Sequence, residues 1–378
     1  MKRPLGHWIL TWVAALTAAP AMFGQSPSGP ITQLPGTSVQ QPPQTKITTR
    51  VSLVNTPVTV RDSKGEMVAN LEEKDFQVLD NGVPQRITHF DLGSDPLSLV
   101  ILVETSSRIE PLLPEMRKTG IIFTDTVMGP DGEAAVVGFN DSVDKLADFT
   151  TNHDVIQSTI NKLKAGTSAS KLFDAMAVGV EMLSGRPLPT ADSPGPRRVM
   201  LIMSEATDVG SEVQLGAVLR QAQLSNVTIY SVGLSTTLAE LKAKPKEKGP
   251  HTTPEGTFGL PPQPGTPQTP ATEAERYGTG NLMDLIVWAV KNVKNKITDH
   301  ALEIATAGTG GAHLATFKGQ SIEKAVDEIG GELHSQYSLS YTPMGTNRTG
   351  YHEIKVQVDR KDLKVRARPG YYIAPPDS

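Results

Sequence analysis

The chain is predicted to fold as an α/β protein with a doubly wound, mostly parallel sheet, joined to a small β-sandwich-like unit built from its N- and C-terminal flanks. Three observations predict this. Short uninterrupted apolar runs, "LSLVILV", "EAAVVGF", "RRVMLIMS" and "VTIYSVGL", recur through the middle of the chain. Stretches of helical character separate them, and strands covered by helices on both faces read as continuous apolar runs. Towards both ends the pattern turns to strict apolar/polar alternation, the mark of strands with one wet face.

In chain order, "MKRPLGHWILTWVAALTAAPAMFGQ" opens with Lys2 and Arg3 and continues into an uncharged apolar run from Trp8 to Phe23. That is the pattern of an export signal, expected over 1–24, with cleavage after Ala21 or Gly24. The rival, a membrane anchor, asks for roughly 20 apolar residues, whereas this run is shorter and is broken by Pro20. Residues 25–46 are Pro, Ser, Gln and Thr with almost nothing to bury, so they read as a disordered linker. Residues 47–93 alternate around two turn signals, Asp62-Ser63-Lys64-Gly65 and Asp80-Asn81-Gly82, and form the N-terminal β unit.

The α/β domain is expected over 96–333. Helical spacing covers 110–127, 152–164, 170–184, 211–224 and 280–306. In the last of these, Leu282, Leu285, Ile286, Ala289, Val293 and Ile297 share one face, which is read as core. Residues 240–278 are a Pro-, Gly- and Thr-rich insertion, expected to be a surface loop. Gly308, Gly310 and Gly311 follow a helix and precede a strand, which suits a helix C-cap and not a phosphate cradle. Residues 334–378 alternate again and are expected to pack with 47–93.

Composition removes several classes of function. The 378-residue chain has a net charge of −4 and gives no basic footprint for nucleic acid. It has no cysteine, which excludes disulfides, zinc–thiolate sites and thiol nucleophiles. Beyond the N-terminal run, no stretch is long and apolar enough to span a bilayer. Ser168-Ala169-Ser170-Lys171 matches S-x-x-K and Lys118-Thr119-Gly120 matches K-T-G. Their order is reversed from the penicillin-binding pattern, and K-T-G falls inside a predicted helix. There is no G-x-S-x-G or H-E-x-x-H, and the eight histidines are scattered. The chain is read as non-enzymatic, with no cofactor.

The first apolar run climbs to a carboxylate and breaks into hydroxyls in "VETSSRIE". In a doubly wound sheet, ligands bind outside the carboxyl ends of the strands. This arrangement resembles the von Willebrand factor A (VWA) domain, of VWA/Rossmann-like fold, which places Asp-x-Ser-x-Ser there to begin its metal-ion-dependent adhesion site. On that resemblance Glu104 takes the place of the first Asp, Ser106 of the first Ser and Arg108 of the second Ser. Ser170 stands where the family has Thr, four residues before Asp174. Glu205 falls on the Asp of S-D-G-x-D-x-G-S, while Ser204, Asp208, Gly210 and Ser211 match. The flanking "VTVRDSKGEMVANLEEKDFQVLDNGVPQRI" and "LKVRARPGYY" look like modules of the exported VWFA-related proteins common in acidobacteria.

The departures imply a degenerate metal site at Glu104, Ser106, Ser170 and Glu205. Mg²⁺ demands near-ideal octahedral oxygen geometry, and Arg108 removes one ligand. Arg108 is expected to pair with Glu104 or Glu205 as a fixed charge, with weak Mg²⁺ binding as the alternative. Asp208 and Ser211 are read as loop and N-cap residues, and Asp174 as a helix-start residue near the N-terminal dipole. The function expected is an exported, periplasmic or secreted interaction protein, adhesive or scaffolding, with an unidentified protein partner. A structural envelope module with a vestigial site is second, and an Mg²⁺-dependent ligand-binding domain third. The first testable consequence concerns export: N-terminal sequencing of the exported protein should start at Met22 or Gln25, and a chain that still begins at Met1 refutes the signal.

Overall fold

The computed structural model describes residues 53–187, 195–234, 286, 300–316, 321–344 and 349–373. The expected signal segment, linker and 240–278 insertion lie outside the described residues, as does most of the expected helix 280–306. Four strands come first: β1 (Val54–Arg61), β2 (Phe76–Asp80), β3 (Val83–Gln85) and β4 (Ile87–Leu92). Then follow β5 (Leu97–Glu104), α1 (Leu113–Ile122), β6 (Glu133–Phe139), β7 (Val143–Thr150), α2 (His153–Asn161) and α3 (Leu172–Ser184). The domain continues through β8 (Arg197–Ser204), α4 (Leu215–Leu224), β9 (Val227–Gly233), α5 (Ala301–Thr309), β10 (His313–Ala315) and α6 (Ile322–His334). The last strands are β11 (Tyr337–Tyr341), β12 (Gly350–Val358), β13 (Lys364–Ala367) and β14 (Gly370–Ile373).

The central sheet has six strands in the order β10-β9-β8-β5-β6-β7. All neighbours pair in parallel except β6 and β7. Every residue of β5 is buried, and the strand's two-residue period divides them between the faces. Val100 and Leu102 pack with α3, α4 and α5 on one side. Leu97, Leu99, Ile101 and Val103 pack with α1, α2 and α6 on the other. Each such aliphatic side chain contributes about 1.5–3 kcal/mol on full burial. This double cover is why the run reads as unbroken hydrophobicity. β7 is the antiparallel edge, and its exposed face carries Lys145 paired to Asp148 at 2.6 Å, charges that discourage pairing with another chain.

The expected helix over 110–127 is instead three segments. A 3₁₀ turn, Ser107–Leu112, holds Pro111, α1 begins with Pro114 in its first turn, and a π-helical turn, Phe123–Met128, leads to Gly129. Proline cannot donate within a helix interior but suits a helix start, so the two prolines set the 3₁₀ turn off from α1.

The remaining strands form two four-stranded sheets, β13-β1-β11-β4 and β14-β12-β2-β3. Each sheet combines strands from both ends of the described chain, alternating in the first and two beside two in the second: Val54–Val58 pairs with Tyr341–Tyr337, and Phe76–Asp80 with Val358–Ile354. The sheets share one apolar cluster that includes Val58, Val78, Tyr337, Leu339 and Ile354. Pro57 is tolerated inside β1 because β13 starts to pair only at Val58. A buried polar node ties four strands together. The Tyr341 and Tyr371 hydroxyls donate to Asp80 Oδ2 at 3.0 and 2.8 Å, and His352 Nδ1 lies 3.0 Å from Asp80 Oδ1.

The α/β domain leaves and re-enters the sandwich side by side. Gly93 N donates to Gln336 O at 3.1 Å. Gly93 has φ 67°, and a Cβ there would lie 2.0 Å from His334 O, so only glycine fits. Next to this crossing, buried Glu332 of α6 accepts from Tyr230 (2.9 Å), Thr59 (3.3 Å) and Arg61 (3.1 Å), and pairs with Arg366. Buried Arg368 donates to Asn55 O, Gln223 O, Asn226 Oδ1 and Gly370 O at 2.8–3.1 Å.

These burials set the alkaline limit of the fold. Burial, reinforced by the neighbouring Glu332 or Asp80 carboxylate, raises the pKa of Tyr230, Tyr341 and Tyr371 above the ordinary tyrosine value. A raised folded pKa gives stability that is complete below pH of about 10 and is lost as pH rises, at about 1.4 kcal/mol per pH unit per tyrosine. Burial pulls Arg368 down to about 10, the opposite sign, which offsets one of the three. The net expectation is a loss of at least about 2 kcal/mol per pH unit above pH of about 10. Tyrosinate absorbance should therefore rise together with loss of ellipticity; tyrosine ionisation completed within the folded protein contradicts it.

Candidate functional site

The winding of the central sheet reverses between β5 and β8: from β5 the chain goes to β6, and from β8 to β9. The crevice at their carboxyl ends is the topological switch point, where open α/β sheets bind ligands. Glu104 ends β5 and Ser204 ends β8, and the two strands pair in register up to Val103 and Met203. The register, and not sequence proximity, brings these loops together.

Glu104 is fully buried, and its carboxylate meets four donors. Oε1 accepts from Ser106 Oγ at 2.6 Å and Arg108 Nη2 at 3.3 Å. Oε2 accepts from Ser204 Oγ at 2.8 Å and the Glu205 backbone N–H at 2.9 Å. Arg108 also lies beside Glu205, with Nε 3.2 Å from Oε2, an ion pair at an angle outside hydrogen-bond range. The guanidinium thus bridges both glutamates. About a third of the Arg108 side chain stays exposed, at 32%, against 13% for Glu205. Glu104, Ser106, Arg108 and Glu205 form one charge-linked cluster.

Ser170 stands apart from that hydrogen-bonded cluster. Its hydroxyl is buried without a hydrogen-bond partner among the described residues, while its carbonyl accepts from Val209 N at 2.7 Å. That bond ties the loop before α3 to the loop after β8. Two further bonds tie the loop after β5 to its neighbours: Gly166 N donates to Thr105 O at 2.7 Å and Ser107 N to Thr167 O at 2.8 Å.

Asp208, Ser211 and Asp174 exchange caps between loops, where the sequence suggested caps local to each. Ser211 Oγ accepts from the Phe173 and Asp174 N–H groups, each at 3.1 Å, and donates to Asp208 Oδ1 at 2.6 Å. These are orphan donors of the first turn of α3. In return Asp174 Oδ1 accepts from Glu212 N and Val213 N at 2.9 and 3.0 Å. Ser211 is occupied in this way, and the helix expected from 211 begins at Leu215, after Gln214. Sequence spacing carries no signal for capping between loops.

Sequence reading also missed Ala206. It sits at φ 64°, with its N–H 3.0 Å from Ser204 Oγ. A left-handed conformation strains any side chain with a Cβ, by about 1–2 kcal/mol. Its place in the aligned motif is that of glycine, so the strain is a feature of this chain's loop.

No family model matches the chain, and no curated protein does. Among solved structures it is similar to the conserved hypothetical protein BatB from Bacteroides thetaiotaomicron, at 10% identity over 63% of this chain and 98% of that one, TM-score 0.38. The SpRpn10 VWA domain is similar at 11% identity, over 62% and 95% of the two chains, TM-score 0.32. The vWF domain of the type V pili tip protein Mfa5 from Porphyromonas gingivalis follows at 15% identity, 30% and 39% coverage, TM-score 0.26. At such scores the likenesses carry no functional argument. The chain's own strand order decides the fold. It is a VWA/Rossmann-like, doubly wound sheet. No described helix is long and apolar enough to cross a membrane.

The strained loop gives a direct test. Ala206→Gly relieves the steric cost but adds about 0.5–1 kcal/mol of backbone entropy on folding. The net expectation is a gain of about 0.5 kcal/mol, or a melting midpoint higher by about 1–2 °C. A fall would mean that the alanine methyl packs favourably enough to outweigh its strain.

Proposed function

We propose that this protein is an exported, non-enzymatic interaction protein whose binding surface lies at the carboxyl ends of β5 and β8, with Arg108 as a fixed positive charge in place of a metal ion. The observation that carries the reading is the saturation of Glu104. A buried carboxylate that already accepts four hydrogen bonds has no lone pair to offer an ion, and a guanidinium between it and Glu205 repels one. The donor set does not fit a divalent cation. Arg108, held between two glutamates and about a third exposed, is of a residue type enriched in recognition hot spots. Envelope adhesion or scaffolding fits an exported chain with such a surface, and the partner is a protein.

Two experiments test this. In the first, the melting temperature of the wild type should not respond to millimolar Mg²⁺, because a weak site adds almost nothing through RT ln(1 + [L]/Kd). The triple variant Glu104→Asp, Arg108→Ser, Glu205→Asp should gain an ion-dependent shift. Arg108→Ser alone should destabilise the ion-free protein by about 3 kcal/mol, since it leaves two neighbouring carboxylates without their counter-charge. A shift of several degrees in the wild type would overturn the metal-free reading.

The second experiment separates the strand-end surface from the rival in which the sandwich makes the contacts. A photo-cross-linking residue is placed in the full chain at Val209, which is 48% exposed beside the site, or at Val83, 51% exposed on β3. Adducts in the native envelope from Val209, lost in Arg108→Ala, are the expected result. Adducts from Val83 alone would favour the structural-module reading.

A further inference from the structure

A concavity of about 460 Å³ lies at the carboxyl end of β6, between the end of α2 and the β6–β7 hairpin. Its size is within the range of about 300–1,000 Å³ of ligand sites. Thr105 lines it from the loop that carries Glu104 and Arg108, so the cleft adjoins the strand-end surface. Its α2 side is held to that loop by the Gly166–Thr105 and Ser107–Thr167 backbone bonds.

The floor is apolar and depends on a position with no side chain. Leu146 and Leu163 line it. A Cβ on Gly138 would lie 3.0 Å from Leu146 Cδ1 and 3.5 Å from Thr105 Cγ2, so a larger residue at 138 would fill the space. Leu146 is 43% exposed there, an apolar group open to a ligand.

The rims carry charge. On the α2 side stand Lys162 and Lys164, both exposed and neither in an ion pair with a described residue. On the β7 side stands Asp144, whose Oδ2 accepts from Ser142 Oγ at 2.6 Å. The neutral polar groups are engaged with the protein. Asn140 Nδ2 donates to Thr105 Oγ1 at 3.1 Å, Thr105 Oγ1 to Phe139 O at 3.2 Å, and Thr159 Oγ1 to Val155 O at 2.7 Å. The lining therefore offers two cations against one carboxylate, above an apolar floor.

We propose that this cleft seats the C-terminal residue of the partner protein. The terminal carboxylate lies on Lys162 and Lys164, an aliphatic side chain on the Leu146 floor, and the residue's N–H on Asp144. A chain end sets a carboxylate, an apolar side chain and an N–H donor on one carbon, and each has its counterpart here. Lysine suits the carboxylate because its ammonium is a point charge on a flexible stem. A free metabolite suits the cleft less well. Small-molecule sites enclose most of their ligand, whereas Asp144, Leu146, Lys162 and Lys164 are all exposed. The end of a longer chain needs only its last residue seated, since the rest lies along the adjoining surface. The inference rests on the interaction reading above and names the partner's chemistry.

Titration of the full mature chain, followed through the amide resonances of Gly138 and Leu146, tests it with four probes: N-acetyl-L-leucine, N-acetyl-L-leucinamide, N-acetylglycine and free L-leucine. N-acetyl-L-leucine should shift these resonances saturably. Masking its carboxylate or removing its side chain should each weaken binding about tenfold. The double variant Lys162→Gln, Lys164→Gln alters exposed positions, should melt as the wild type does, and should bind N-acetyl-L-leucine and its amide equally. Leu146→Ser should bind N-acetyl-L-leucine no better than N-acetylglycine. Equal binding of the acid and its amide by the wild type, undiminished binding by the lysine variant, tighter binding of free leucine, or no saturable shift at tens of millimolar probe would each overturn the proposal. Cross-links from Val209 that vanish in Arg108→Ala, found beside any of these failures, would leave the strand-end surface standing and remove only the C-terminal anchor.

Discussion

The architecture rests on a buried carboxylate, Glu332, at the place where the chain passes twice between its two halves. The α/β sheet is inserted between strands of the sandwich, leaving after β4 and returning before β11. At that crossing Gly93 lies against the backbone of His334, and Gln336 bonds both Thr59 and Tyr230 at 3.1 Å. Glu332 answers Arg61 on β1, Arg366 on β13 and Tyr230 on β9 with one group. A carboxylate buried this deeply is tolerable only while its donors are present, and loss of a partner from such a pair costs about 3–5 kcal/mol. Arg368 does the complementary work on the other side, where a buried guanidinium spans β1, β14 and the turn between α4 and β9. Two buried charges of opposite sign hold the seam.

At the far end of the sheet the same physics acts on Glu104. Desolvation requires that a fully buried carboxylate be compensated, and the chain compensates it internally with two hydroxyls, one backbone N–H and Arg108. The 3₁₀ turn that begins at Ser107 carries Arg108 back over the end of β5, and the strained Ala206 turn presents the Glu205 N–H. The exchanged caps of Asp208, Ser211 and Asp174 hold the surrounding loops. Within the proposed function, this makes the strand-end face a preorganised surface whose charge does not depend on an ion, and recognition there avoids the cost of ordering loops on binding.

Much of the fold could be read from residues alone. The continuous apolar runs of β5, β6, β8 and β9 and the helical periods between them specify a double-covered parallel sheet, because only burial on both faces removes the alternation. The prolines of "RIEPLLPEM" are visible in the sequence, but the 3₁₀ turn they set off from α1 and the π-helical turn that follows α1 are not. At the site, Glu104, Ser106 and Arg108 stand out after the first apolar run, and Glu205 is reached only through the resemblance to the VWA motif. A pairing of Arg108 with Glu104 or Glu205 is expected from the sequence, whereas the role of Ser204 and the strain at Ala206 are not.

The sequence by itself determined the four buried strands of the central sheet, where the carboxylates and the arginine sit along the chain, and that no cysteine chemistry is available. Those properties are local: they follow from side-chain period, turn chemistry and composition. Only the tertiary structure decided which donors meet Glu104, which loops cap one another, and that Thr105 and Lys164 line a common cleft. Those pairings depend on strand register and on the double crossing at Gly93, which bring together groups far apart in the chain, and no local pattern encodes a distance between them.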